Sequence, residues 1–210
     1  KDFFSTRIGS EEDLREICNF PILGYVYNTK KIYKGSTLVL DKPNSPASEP
    51  FRIIQNKLSF FNHGNEGKVI AITSSFASEG KSFNAINLAS IYALSKKKTV
   101  LLDLDLRRSS IADAFKLNPD IGLVYYLLGQ NKKEDIIFKS KHPNLDIIPA
   151  GPITPNPAEL LLDKKFQDLI EALKKEYDVI IADTAPVGAV SDTLKISKLL
   201  DTFVFVIKHN

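Results

Sequence analysis

A glycine, a lysine and a serine, Gly80-Lys81-Ser82, stand where a short β-branched run gives way to a long amphipathic segment. The run Lys68-Val-Ile-Ala-Ile-Thr73 enters a loop of small residues, Ser75-Phe76-Ala77-Ser78-Glu79-Gly80-Lys81-Ser82, and Phe83 continues into the amphipathic part. Strand, loop and helix in that order make a phosphate-binding loop. Backbone N–H groups and a helix N-terminus surround an anion, Lys81 adds a point charge, and the Ser82 hydroxyl is placed to ligate Mg²⁺. The strict pattern G-x-x-x-x-G-K-[ST] fails at its first position, where Ser75 stands. Taken alone, the tripeptide is equally well read as an exposed helix start.

Two acidic strand ends change that balance. In Thr99-Val-Leu-Leu-Asp-Leu-Asp105 an apolar run ends in Asp103, with Asp105 two residues on. In Val179-Ile-Ile-Ala-Asp183 a second apolar run ends in Asp183. Runs apolar on both faces suit parallel strands buried between helix layers. A parallel sheet gathers its ligands at the carboxyl ends of the strands. Carboxylates there, beside a phosphate loop, hold Mg²⁺ directly or through its waters. Either acid alone reads as a solvated strand end; the three segments together read as a nucleotide site.

The elements that must position these groups alternate along the chain. A helix near Glu11–Ile17 opens at Ser10, with Asp13 in a capping-box-like place. A loop rich in Pro, Asn and Ser from Asp41 to Ser48 leads to a helix beginning near Glu49. Strand Val69–Thr73 precedes a helix running to about Ser95, and strand Thr99–Asp103 follows. Helical stretches near Ile111–Phe115 and Leu123–Leu128 come before strand Leu145–Pro149. Helical runs Ala158–Leu162 and Lys165–Lys175 lead to strand Val179–Asp183, then a helix over about Asp192–Leu200 and a last strand, Thr202–Lys208. This βα alternation predicts an α/β fold, a mainly parallel sheet with helices on both faces. No internal repeat is present.

With these residues in hand, the chain resembles the cytoplasmic domain of the bacterial tyrosine kinases (BY-kinases) of capsular and exopolysaccharide synthesis. These belong to the deviant-Walker P-loop ATPases, with the septum-positioning and chromosome-partitioning ATPases. The resemblance rests on Ser78-Glu79-Gly80-Lys81-Ser82, on Asp103-Leu104-Asp105-Leu106-Arg107 and on Asp183-Thr184-Ala185-Pro186. Pro149–Leu162 and Phe20–Tyr27 add to it, and it runs from about Ser10 to the last residue. Ser78 replaces a common Gly, and Ala185 a common Pro. The signature Lys of partitioning ATPases is missing from the Phe76-Ala77 region, which favours the kinase branch. Glu49 and Arg52 match a ring-assembly segment of the family, whereas Gln55 stands where the family has a further Arg, whose charged fork Gln cannot imitate. An i, i+3 surface pair explains Glu49 and Arg52 equally well.

The resemblance implies ATP and Mg²⁺ as cofactors and phosphoryl transfer to tyrosine. Lys81, Asp103 and Asp105 are the expected catalytic residues, with Asp103 as base or orienter for the incoming hydroxyl. Ser82, Asp103, Asp105 and Asp183 are the expected metal shell. It also implies a membrane-spanning polysaccharide co-polymerase region or subunit, export machinery, a tyrosine phosphatase and a ring of copies of the chain as partners. The expected place is the cytoplasmic face of the bacterial inner membrane, and the expected acceptors are tyrosines of a C-terminal tail absent from this chain. Residues 1–48 are expected to be a juxtamembrane-like segment and linker packing on the core, beginning at Lys1-Asp-Phe-Phe4, and 49–210 the kinase domain, truncated at its C-terminus. Absence of methionine, even at position 1, marks a fragment or processed chain. Two other readings compete: an ATPase moving or regulating the export complex, and a nucleotide-binding regulator without turnover.

Composition agrees. The chain has 210 residues, enough for one core covered on both faces, and a formal net charge of +3, too small to argue for nucleic acid. Lys96-Lys97-Lys98 reads as a helix end. The single cysteine, Cys18, excludes an internal disulfide framework and reads as a packing residue. His63, His142 and His209 are scattered, with no Cys/His cluster for zinc. Tyr25, Tyr27, Tyr33, Tyr92, Tyr125, Tyr126 and Tyr177 read as packing or amphipathic surface residues. No 18-residue apolar span or signal peptide is present.

Overall fold

Six strands form one sheet in the order β3-β4-β2-β5-β1-β6 in the computed structural model, which describes residues 11–27, 35–60, 67–188 and 192–208. The strands are β1 (Lys68–Ser74), β2 (Thr99–Asp103), β3 (Phe138–Lys139), β4 (Leu145–Ile148), β5 (Val179–Asp183) and β6 (Thr202–Val206). All neighbours pair in parallel except β3 and β4, which are antiparallel at one edge. The helices are α1 (Glu11–Ile17), α2 (Leu38–Asp41), α3 (Glu49–Ser59), α4 (Lys81–Leu94), α5 (Ile111–Phe115), α6 (Leu123–Leu127), α7 (Pro157–Leu162), α8 (Lys164–Glu176) and α9 (Asp192–Lys195).

Side-chain alternation along the central strands sorts them into two apolar layers. Ile70, Ile72, Leu101 and Ile181 face α2, α3 and α4, while Val69, Val100, Leu102 and Ile180 face α6, α7 and α8. Helices therefore cover both faces, as the buried, unalternating strands predict. On the second face Phe166, Leu169, Ile170 and Leu173 recur at helical spacing on α8 and are at most 1% exposed. Burying each contributes roughly 1.5–3 kcal/mol. The Asp163 side chain starts that helix by accepting the Lys165 N–H at 2.8 Å. On the first face α4 is buried along nearly its whole length. Its Asn87, fully buried, accepts the Val39 N–H and donates to Ser36 O, both at 2.8 Å, and so fastens the 36–39 backbone to the core.

Several element boundaries differ from those read in the sequence. The last strand ends at Val206, and the final helix breaks into α9 and a 3₁₀ turn at Ser197–Leu199. Strand β3 and helix α2 are new, as is the 3₁₀ turn Pro46–Ser48 inside the expected loop. Each spans no more than four residues, too few for periodicity to register. Ser10, Tyr33, His63, His209 and Lys1–Phe4 lie outside the described residues. Among the described residues no helix is long and apolar enough to cross a membrane.

Candidate active site

The loop between β1 and α4 is held from both sides. Within it, the Ser74 hydroxyl donates to Phe76 O at 2.7 Å and the Phe76 N–H donates to Glu79 Oε2 at 2.8 Å. Ser78 and Gly80 adopt left-handed φ values of 67° and 99°. Left-handed residues among right-handed ones turn successive N–H groups into an anion-binding concavity, here at the N-terminus of α4. Glycine is the residue this conformation favours at position 78, since a side chain in that region costs about 1–2 kcal/mol. Ser75 lies outside it, so a serine in place of the pattern's first glycine carries no backbone strain. From outside, the loop after β5 closes on this one. The Val187 N–H donates to Ser74 O at 2.9 Å, and a Cβ on Gly188 would come within 2.4 Å of Ser75 O.

The acids arrive through sheet register. Asp103 and Asp183 are paired positions on neighbouring parallel strands, and both share the parity of Leu101 and Ile181, hence the face that α4 covers. Lys81, at the first turn of α4, meets the acids there. Its Nζ lies 3.2 Å from Asp105 Oδ2 and 3.9 Å from Asp183 Oδ1, with Lys81 8% exposed, Asp105 6% and Asp183 1%. Asp103 is fully buried, and the following turn engages both of its oxygens. Oδ1 accepts the Asp105 N–H at 3.1 Å and Oδ2 accepts the Ser109 hydroxyl at 2.6 Å. Neither Asp183 oxygen has a hydrogen-bond partner.

Burial raises the pKa of Asp103, and the neighbouring Asp183 charge raises it further, against the opposing bonds from Ser109 and the Asp105 N–H. Burial likewise raises that of Asp183, opposed by the Lys81 ammonium and the nearby Ser82 hydroxyl. Two like charges side by side in a dry place hold protons more tightly than free carboxylates do. Among the described residues no group of three or more His, Cys, Asp or Glu side chains is arranged to hold a metal unaided. The donor set instead suits a cation bound together with phosphate oxygens: one hydroxyl, orphaned carboxylate oxygens, and a lysine already neutralising excess charge.

The structure brings together Lys81, Asp103, Asp105 and Asp183, with Ser82 half-buried beside them, while Phe76, Ala77 and Ser78 stand exposed on the loop. Glu49 and Arg52 lie apart on α3, where they pair at 3.2 Å and Arg52 also donates to Pro43 O at 2.8 Å. Sequence reasoning missed Ser109, bonded to Asp103 within an irregular turn, and Gly188, packed on a distant backbone oxygen; neither leaves a pattern. Among the tyrosines, Tyr92 and Tyr177 are buried, whereas Tyr27 is 75% exposed on the surface.

Fold and loop define a P-loop nucleotide-binding domain, and the AAA domain family model matches residues 67–201. The chain is 37% identical over 172 residues to the tyrosine-protein kinase YwqD of Bacillus subtilis strain 168, covering 82% of this chain and 73% of that one. Among solved structures it is similar to the chimerical protein CapA2B2, at TM-score 0.86 and 35% identity, over 93% of this chain and 84% of that one. The kinase domain of the Escherichia coli tyrosine kinase ETK gives TM-score 0.77 and 30% identity, over 95% of this chain and 75% of that one. The chain belongs to the family of bacterial tyrosine-protein kinases.

Proposed function

We propose that this kinase domain transfers the γ-phosphoryl group of Mg-ATP to a tyrosine hydroxyl through the Lys81, Asp103, Asp105 and Asp183 cluster. What carries the reading is Lys81 itself: a nearly buried ammonium at a helix N-terminus, between carboxylates from two adjacent strand ends. The N–H groups of 75–83 would cradle the phosphates, with Lys81 turned from Asp105 onto the transferred group. Ser82 and Asp183 would hold Mg²⁺, Asp183 with the oxygens that no hydrogen bond uses. Held there, Mg²⁺ would supply neutralisation of phosphate charge.

Burial divides the roles of the two aspartates after β2. Asp103 has no exposure and both oxygens engaged, which suits a strut; Asp105 faces Lys81. When Lys81 moves onto phosphate, Asp105 Oδ2 is released to accept the phenol proton. The phenol oxygen then bonds to the γ-phosphorus as the bond to the ADP oxygen breaks. Positioning and charge stabilisation supply most of such a barrier reduction.

Family membership supports the wider setting: the cytoplasmic face of a bacterial inner membrane, a membrane-spanning polysaccharide co-polymerase, export machinery, an opposing tyrosine phosphatase and regulation of polysaccharide chain length. Assembly into rings is the further reading of Glu49 and the half-buried Arg52 on α3, which pair with each other, while Gln55 departs from the ring-assembly pattern. A monomer by light scattering at every concentration would remove that part. The catalytic reading is tested by incubating the protein and a Lys81→Ala twin with Mg-ATP and a poly(Glu,Tyr) copolymer. Phosphotyrosine on the copolymer should fall on the order of 10²–10³-fold in the twin. ADP without phosphotyrosine would instead make the domain an ATPase of the export complex.

A further inference from the structure

We infer that Ser109 is a positioning residue for this phosphoryl transfer, acting through Asp103 on Asp105; the inference rests on the kinase reading above. An aspartate carboxylate has no strongly preferred setting about its last torsion, so its orientation must come from its partners. Asp103 has two. The Ser109 hydroxyl donates to Oδ2 at 2.6 Å, and the Asp105 N–H donates to Oδ1 at 3.1 Å. The first fixes the carboxylate, and the second makes that carboxylate the anchor of the Asp105 backbone. Asp105 in turn spends Oδ1 on the Arg108 N–H at 3.2 Å and points Oδ2 at Lys81. Ser109, Asp103, Asp105 and Lys81 thus form one line of contacts from the turn to the ammonium.

Two further observations support this role. Asp103 is fully buried, so its oxygens depend on donors supplied by the chain rather than on bulk water. Ser109 itself is held in place: Ser110, next to it, precedes α5, where Ile111 is fully buried and the Ala114 N–H returns to Ser110 O at 3.2 Å. The hydroxyl is presented by a turn pinned at both ends. Without it the carboxylate can rotate, the Asp105 N–H loses a fixed acceptor, and Oδ2 of Asp105 loses its setting against Lys81.

The test compares the parent with Ser109→Ala, Ser109→Thr and Ser109→Cys, using Mg-ATP and the poly(Glu,Tyr) copolymer. Nucleotide affinity is read separately with a fluorescent ATP analogue, and folding by thermal melting. The expected result is a kcat about tenfold or more lower in the alanine variant, with the nucleotide Kd and the copolymer KM within about twofold. Threonine, which keeps the hydroxyl, should restore most of the rate. Cysteine, similar in shape but a weak donor, should behave like alanine, and it decides the matter if the alanine variant fails to fold. An unchanged or raised kcat in well-folded alanine or cysteine variants would overturn the inference, since the hydroxyl would then be idle or an obstacle. Equal losses in kcat and nucleotide affinity would overturn it too, in favour of a structural bond. No phosphotyrosine from the parent would remove the kinase reading and this inference with it.

Discussion

Two buried aspartates sit at opposite ends of the same sheet, and their surroundings differ in kind. Asp146, near the start of β4, is 3% exposed and its Oδ2 accepts the Tyr177 hydroxyl at 2.7 Å and the Lys139 ammonium at 2.6 Å. Asp183, at the end of β5, is 1% exposed and accepts no hydrogen bond, its nearest cation 3.9 Å away. Asp146 also leaves one oxygen unpaired, but the other is engaged twice. One acid is part of the scaffold; the other is held in an unfavourable state by the fold around it. A buried carboxylate without hydrogen bonds is costly even with a lysine 3.9 Å away, so its place at the carboxyl end marks where the protein keeps capacity for a ligand.

Mutation at the two ends should therefore move stability in opposite directions. Tyr177→Phe removes the donor to Asp146 and is expected to destabilise by about 1–3 kcal/mol, with kcat unchanged. Asp183→Asn removes a carboxylate that no hydrogen bond satisfies, leaves Lys81 paired with Asp105 at 3.2 Å, and is expected to stabilise the nucleotide-free protein by about 1–2 kcal/mol while abolishing transfer. Urea melts and copolymer phosphorylation on both variants check the pair. If Asp183→Asn destabilises as Tyr177→Phe does, the contrast between the two ends is gone.

Proton linkage sharpens the same comparison. In the folded, metal-free protein the pKa values of Asp103 and Asp183 lie above their ordinary range, mainly through burial. The native state then binds more protons than the unfolded one. The stabilisation is complete below the ordinary carboxylate pKa near 4 and is lost as pH rises through the raised folded values. The stability advantage of Asp183→Asn over the parent should thus widen from about pH 4 upward. A gap independent of pH would show that the two acids titrate normally. The smallest expected effect is at the loop: Ser78→Gly relieves a left-handed serine at φ 67° and should add roughly 1 kcal/mol. A loss of stability there would mean that the serine side chain makes up for its backbone.

How far the site was legible in the sequence follows from the same physics. A strand buried on both faces must be a continuous apolar run, so an acid that ends one is conspicuous, and Asp103 and Asp183 were both found this way. Lys81 and Ser82 were legible because a phosphate loop is a local device, complete within one turn. The pairing of Lys81 with Asp105 and the Asp146–Tyr177 bond join side chains brought together only by tertiary packing, and the Ser109 bond depends on how an irregular turn closes. No spacing encodes them. The departures at Ser75 and Ser78 look alike in sequence, yet only Ser78 occupies a conformation that favours glycine.

The strand carrying the phosphate loop pairs only with β5 and β6, in register Lys68↔Val179 and Ile70↔Thr202. Both partners lie more than a hundred residues downstream along the chain. During synthesis at ~5–20 residues per second, β1 would wait on the order of ten seconds for its first neighbour. For that interval the nascent chain holds a complete nucleotide-binding motif with no sheet to support it. Nucleotide can then assist folding only after most of the domain has been translated, and a truncation before Asp183 would leave the motif intact and the enzyme unborn.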